Sequence, residues 1–413
     1  MARGELPSAA STPRFGTALV SLGSSAGPVT NADTPLVIIP QWSRIVELIG
    51  GSAEILDLVH HRVVAVVPVS ADARTIVRDD TRGRVFMVGS GANGTPGTIE
   101  AIDVRSGHRL FRHQMDPNSD TFIGVDSSTG NLIGVEYGNE VRIVSPDGRT
   151  IARHPLASDI ASSMSLDTPV SLLDLPHHVA IFCKPVFRSQ TAVGETNPTT
   201  IAASDTRTGI QLWERSVGFP PALCAVNTRT GQVWAVALGG HVRLYDDRSG
   251  HLASDIRMAY PTPGGWAEGK SGDYAQSSML IDETANVGYI EWKSGVGQWT
   301  IDRADLPSHQ RRHVRVESVP ESDIYPSPVA LFGTATNGNL VYDFNENTVV
   351  IDGRSGARLG QRAISGDVTE DQLLANASDA SHVYVVYRSS VSTTNDVSGT
   401  TLVPALRIDT ISF

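Results

Sequence analysis

Only two cysteines, Cys183 and Cys224, occur in 413 residues, each inside an apolar, strand-like segment. They form no Cys-x-x-Cys-His site, which excludes c-type haem attachment. Their simple reading is two buried thiols in a reducing compartment, placing the protein in the cytoplasm; a structural disulfide is the alternative. Lys/Arg-rich runs are missing, Arg311-Arg312 being the nearest to one, and the formal net charge is −11. Phosphate binding wants a basic surface, so nucleic acid is excluded as the default partner. No apolar run of about 18 residues occurs, which excludes a helical membrane span. Met1 to Arg14 lack the continuous apolar core of a signal peptide. That stretch reads as a disordered segment, with residues 15–413 as a single domain. Nowhere does a 3.6-residue apolar period persist long enough to mark a helix.

What the chain has is turns and repeats. Gly at 38 and Pro at 23 are scattered along its length, as many short strands joined by many turns require. Each repeat unit reads as an apolar strand, a turn, a second very apolar strand, a variable connection, a third strand, an Asp-rich turn and a fourth strand. The second strands are predicted at Leu36–Pro40, Val85–Gly89, Leu132–Glu136, Val179–Cys183, Val233–Leu238, Val287–Trp292, Leu340–Phe344 and Val383–Tyr387. Their period of roughly 43–55 residues is that of four-stranded propeller blades. Asp80-Thr-Arg-Gly83, Ser127-Ser-Thr-Gly130 and Thr228-Arg-Thr-Gly231 precede second strands. Asp103…Gly107, Asp205…Gly209, Asp246…Gly250 and Asp352…Gly356 follow third strands. Such turns use Gly for positive φ and Asp, Ser or Thr to hydrogen-bond the turn backbone.

The last unit, ending in Leu402–Phe413, lacks a fourth strand, while Gly16–Leu22 is an apolar strand without a place in the first. Pairing them would complete the last blade and leave no open edge. The expected fold is therefore all-β, an eight-bladed β-propeller closed by its N-terminal strand. Seven blades is the alternative if Leu36–Pro40 and the weak segment after it do not form a full blade.

The stretch Ala203-Ser-Asp205-Thr-Arg-Thr208-Gly209-Ile-Gln-Leu-Trp213 resembles the tryptophan-docking motif of quinoprotein-type (PQQ-like) repeat propellers. The match is partial at Ala101-Ile-Asp103…Gly107, which ends in Phe111, and the Asp246 and Asp352 copies lack the aromatic. The resemblance implies architecture, with the tryptophan of one blade packed on the next. It does not bring the quinone chemistry with it. Quinoprotein dehydrogenases of that family carry an adjacent cysteine pair over the cofactor, and Cys183 and Cys224 are far apart in sequence. No cofactor is expected.

In such a blade the turns from strand one to two and from three to four open on one face, and the remaining connections open on the other. The first set is mostly tight here, while the second holds Lys184–Thr199, Arg257–Ser278, Glu317–Ser327 and Ser389–Thr400. Long loops are usually retained for binding or catalysis. The expected working face is the long-loop face, holding a small molecule or protein partner. Tyr260, Trp266 and Tyr274 offer stacking surfaces beside Glu268, Lys270 and Asp273, and Glu317, Asp323, Tyr325 and Lys293 could converge on them. Lys184 and Arg188 could bind a carboxylate or phosphate, and Trp42, beside Arg44, could add a stacking contact. A cofactor-independent lyase, cyclase or isomerase would draw acid/base groups from Glu268, Lys270, Asp273, Glu317, Asp323 and Tyr325. The pairs His60-His61 and His177-His178 fall on tight turns, and neighbours on a strand diverge, so no metal site is expected from them.

Overall fold

The structure, a computed structural model, describes residues 13–21, 35–70, 72–89, 96–115, 121–136, 140–155, 170–183, 200–217, 221–237, 241–257, 278–294, 298–306, 310–318, 331–333, 338–344, 347–363, 372–378, 381–395 and 399–413. These residues form eight four-stranded antiparallel sheets. The chain begins with β1 (Arg14–Ser21), and the first sheet follows as β2 (Leu36–Ile39), β3 (Arg44–Ile49), β4 (Ser52–Asp57) and β5 (Arg62–Pro68). The second sheet is β6 (Ala73–Asp79), β7 (Arg84–Gly89), β8 (Gly97–Asp103) and β9 (Arg109–Met115). The third is β10 (Thr121–Asp126), β11 (Asn131–Glu136), β12 (Glu140–Val144) and β13 (Thr150–Pro155). The fourth is β14 (Val170–Asp174), β15 (Val179–Cys183), β16 (Thr200–Asp205) and β17 (Gln211–Ser216). The fifth is β18 (Pro221–Asn227), β19 (Gln232–Ala237), β20 (His241–Asp246) and β21 (Leu252–Arg257). The sixth is β22 (Ser278–Asp282), β23 (Val287–Ser294), β24 (Gln298–Asp305) and β25 (Gln310–Ser318). The seventh is β26 (Leu331–Gly333), β27 (Asn339–Phe344), β28 (Asn347–Asp352) and β29 (Arg358–Ala363). The eighth combines β30 (Gln372–Ser378), β31 (His382–Asn395) and β32 (Gly399–Ser412) with β1, in the order β1-β32-β31-β30.

Alternation explains why the middle strands are so apolar. Successive side chains of a strand point to opposite sheet faces. In β3, β7 and β15 both sets are buried, because each sheet packs against a neighbour on either side. The apolar core divides accordingly between pairs of sheets. Ile133 and Val135 of the third sheet, for example, meet Ala180 and Phe182 of the fourth. Val341 and Val350 of the seventh meet Val383 and Val385 of the eighth. Ile38 and Ile45 of the first sheet pack with Tyr384, Val386, Leu406 and Ile408 of the eighth. First strands lie side by side, β2 against β6, β18 against β22, and β30 against β2. Fourth strands face outward: β13 alternates intermediate and exposed residues along its whole length.

β1 pairs with β32 from Arg14↔Ser412 to Ser21↔Ala405, taking the fourth position that the C-terminal sheet lacks, as expected. Two strand assignments need correction. Leu36–Ile39 is the first strand of its sheet, and the second is Arg44–Ile49, so the first unit has its full four strands. Glu47 disguises β3: it is 1% exposed in the middle of the strand. Ser389–Thr400 is not a loop, because the β31/β32 ladder continues to Asn395↔Gly399. Valine and threonine alternating with serine suit that extended pairing. β30 reaches only to Arg388 and β1 to Ala405, so the far end of the ladder is two-stranded.

The cysteines also differ from the simple reading. Cys183, at the end of β15, and Cys224, in β18, are joined as a disulfide between the fourth and fifth sheets, with Cα atoms 6.5 Å apart. First and second strands of adjacent sheets overlie one another, which brings together two thiols separated by 41 positions.

Candidate functional site

Most residues expected on the working face lie outside the described residues: Lys184, Arg188, Tyr260, Trp266, Glu268, Lys270, Asp273, Tyr274, Asp323 and Tyr325. Glu317 is placed, not in a connection but on β25, paired with Trp299. Lys293 lies on β23 and is also paired with Trp299, across the other ladder, so the two backbones flank one residue of β24. Trp42 lies elsewhere. With Leu36–Ile39 as a first strand, Trp42 belongs to a one-to-two connection and sits on the tight-turn face. Its Nε1 donates to the Asp80 carbonyl at 2.8 Å, and the Arg105 guanidinium stands 4.9 Å from the ring centroid. Trp42 is thus committed to a contact between the first and second sheets.

The richest described constellation is on the tight-turn face. Asp57, Asp103, Asp205, Asp246 and Asp352, each ending a third strand, accept turn N–H groups. Asp205 Oδ1 takes those of Arg207 at 2.9 Å and Thr208 at 3.0 Å, and Asp352 Oδ1 takes Arg354 at 2.8 Å and Ser355 at 2.7 Å. Trp213 performs the expected docking. Its Nε1 donates to the Asp247 carbonyl at 2.6 Å, and the ring lies so close to Gly250 that an added Cβ would fall 2.6 Å from Cδ2. Gly250 has φ +64°, so the close approach and the turn conformation both demand glycine there.

A second set of contacts joins the Asp at the end of several first strands to the next sheet, as at Asp79, which accepts the Ser127 hydroxyl. Asp126, ending β10, accepts the Thr206 hydroxyl at 2.5 Å and contacts His178 Nδ1 at 2.9 Å, both from the fourth sheet. Burial would push the Asp126 carboxyl up, but hydrogen bonds from Ser128, Thr206 and His178 outweigh it and hold the group down at about 2. Asp103 is also held at about 2, chiefly by the Arg105 side chain. Asp57 lies at about 2 despite burial, because the His60 and Val59 N–H groups bind its carboxylate. A carboxyl depressed by folding stabilises the native state above its unfolded value of about 4 and loses that stabilisation as pH falls through the folded value. The midpoint of urea unfolding should therefore decline steadily as pH falls from about 4 to 2. Asp126→Asn should flatten part of that decline.

One seam breaks the pattern. The position after the third-strand Asp is Thr206 in the fourth sheet but Asp247 in the fifth. Asp174, ending β14, therefore faces a carboxyl where Asp126 faces a hydroxyl. Asp174 accepts the His177 N–H at 3.2 Å, and His177 Nδ1 lies 2.9 Å from Asp174 Oδ2 and 3.4 Å from Asp247 Oδ2. Asp174 is 0% and Asp247 3% exposed, and Asp247 Oδ2 is buried without a hydrogen-bond partner. Burial, followed by the Asp174 carboxyl beside it, raises Asp247 to about 7. Asp174 in turn raises the His177 imidazole, against the opposing effect of burial. Gly231 closes the cluster from one side: a Cβ there would fall 2.9 Å from Asp247 Oδ1 and 3.2 Å from His177 Cε1. The adjacent histidines do diverge, but each meets its own carboxylate, and His178 has φ +58° where Gly130 and Gly231 stand in neighbouring turns. His313 lies on β25, with Nδ1 2.5 Å from Asp302 Oδ1.

No protein-family model matches the chain, and no curated protein matches its sequence. Solved structures do match its fold. BamB from Moraxella catarrhalis superposes with a TM-score of 0.51 at 10% identity, over 96% of this chain and 98% of that one. Quinohemoprotein alcohol dehydrogenase from Comamonas testosteroni gives 0.52 at 10% identity, over 96% of this chain and 76% of that one. Saccharomyces cerevisiae Sqt1 gives 0.55 at 13% identity, over 87% and 94%. The fold is that of a β-propeller. BamB and the quinohemoprotein share that fold with this chain. Among the described residues no helix is long and apolar enough to cross a membrane.

Proposed function

We propose that the chain is a closed eight-bladed propeller that works as a binding platform. It holds a small organic ligand or a protein segment on the face carrying the two-to-three and sheet-to-sheet connections. The observation that carries this reading is the contrast between the two sets of connections. The turns on one face are short and occupied by their own hydrogen bonds, as at Asp205 and Asp352. Connections 184–199, 258–277 and 319–330 all belong to the other set. The β31/β32 ladder supports the same face, because it runs past its neighbours toward the two-to-three side and leaves backbone edges there for a partner strand. Trp266 and Tyr274 supply the stacking surface in this reading, and Glu268, Lys270 and Glu317 the polar contacts. The Cys183–Cys224 bridge favours an oxidising compartment over the cytoplasm.

A thermal-shift screen of small organic acids, amines and short peptides tests the proposal. The expected result is a compound that raises the melting temperature of the native protein and loses at least tenfold in affinity with Trp266→Ala or Lys270→Met. Binding that survives both substitutions would place the ligand elsewhere and refute the reading.

A further inference from the structure

We propose that Asp174, His177 and Asp247 form a divalent transition-metal site, suited to Zn²⁺, in the seam between the fourth and fifth sheets. Their ligand atoms, one from each residue, lie within 4.8 Å of one another. A carboxylate–carboxylate–imidazole set is the oxygen/nitrogen donor combination that zinc accepts. Tetrahedral zinc with bonds of about 2.0–2.2 Å sets its ligand atoms about 3.3–3.5 Å apart. The His177 Nδ1 to Asp247 Oδ2 distance of 3.4 Å already matches, and the 2.9 Å contact to Asp174 needs only a few tenths of an ångström of opening. Loop geometry alone would not carry the assignment. What carries it is Asp247 Oδ2, on a side chain only 4% exposed, without a hydrogen-bond partner and directed at the imidazole.

The repeat supplies an internal control. In the preceding seam the equivalent residue is Thr206, whose hydroxyl donates to Asp126, so that seam is satisfied by the protein alone. Asp247 replaces this neutral donor with a second carboxyl, and two buried carboxyls at one point need a cation or a shared proton between them. The surroundings are also fixed in advance. Trp213 Nε1 holds the Asp247 carbonyl, Arg248 Nη1 donates to the His177 carbonyl at 2.7 Å, and Gly231 leaves no slack behind the carboxylate. The His177 side chain is 36% exposed, which gives the metal an entry path and leaves its fourth position for water.

The test is metal-dependent stability and stoichiometry of the full chain after treatment with a chelator. Zn²⁺ at micromolar concentration should raise the melting temperature by several degrees, and equilibrium dialysis should show one tight equivalent. Asp247→Thr copies the preceding seam and should fold. It should lose that equivalent, weaken zinc binding at least tenfold and abolish the thermal shift. His177→Gln should do the same, whereas His178→Asn, one residue away, should keep both. Zinc binding unchanged in Asp247→Thr and His177→Gln, or no metal-dependent shift in the native protein, would overturn the assignment in favour of a proton shared by the two carboxyls. Because the site is on the tight-turn face, Trp266→Ala should leave zinc binding intact.

Discussion

Trp213→Ala should lower the stability of the protein by about 3–5 kcal/mol, the usual cost of removing a buried tryptophan. Two losses combine there. The ring is 5% exposed, packs among Val179, Ile181, Cys224 and Tyr245, and fills the space over Gly250. Its N–H satisfies the Asp247 carbonyl, which the substitution leaves without that partner. Trp213→Phe should recover most of the packing but not the hydrogen bond, for an intermediate loss. Urea denaturation followed by tryptophan fluorescence and by circular dichroism would measure both. A Trp213→Ala midpoint within error of the native one would mean that the tryptophan does not dock one sheet on the next.

Reduction of Cys183–Cys224 should produce a loss of similar size. Closing a loop over 41 positions removes denatured-state entropy worth about 4 kcal/mol near room temperature. The bridge joins the same two sheets that Trp213 docks, so its removal lets this seam open first. Dithiothreitol should lower the melting temperature of the native protein and leave a Cys183→Ala/Cys224→Ala variant unaffected. Titration of the unfolded, unreduced chain with a thiol reagent should find no free thiol. Two reactive thiols, with no effect of dithiothreitol, would restore the reading of separate buried cysteines.

These two residue sets also show how far the sequence was readable. Trp213 was legible because its motif is local: strand, Asp turn, glycine and aromatic all lie within eleven positions. The same locality exposed seven of the eight second strands and the Asp-led turns. The first sheet was misread because β2 is only four residues long and buried Glu47 interrupts the apolar run after it. The disulfide was not legible, since nothing near either cysteine encodes which strands of adjacent sheets overlie one another. Asp174, His177 and Asp247 lay between these extremes. Asp-x-x-His is visible in the turn, and Asp246-Asp247 departs from the Asp-Thr, Asp-Val and Asp-Gly of the other copies. That departure was the available clue, but its meaning needs the knowledge that a three-to-four turn meets the one-to-two turn of the preceding sheet.

The pairing of β1 with β32 has a consequence for how molecules behave in company. β32 is an apolar strand whose backbone edge is covered by eight residues from the opposite end of the chain. Whenever those residues peel away, the exposed edge can accept the same strand from another molecule as readily as its own. High concentration would favour such exchange, giving pairs or open chains in which each copy lends its first strand to the next. The segment Arg14–Ser21 therefore shields that edge as well as completing the last sheet.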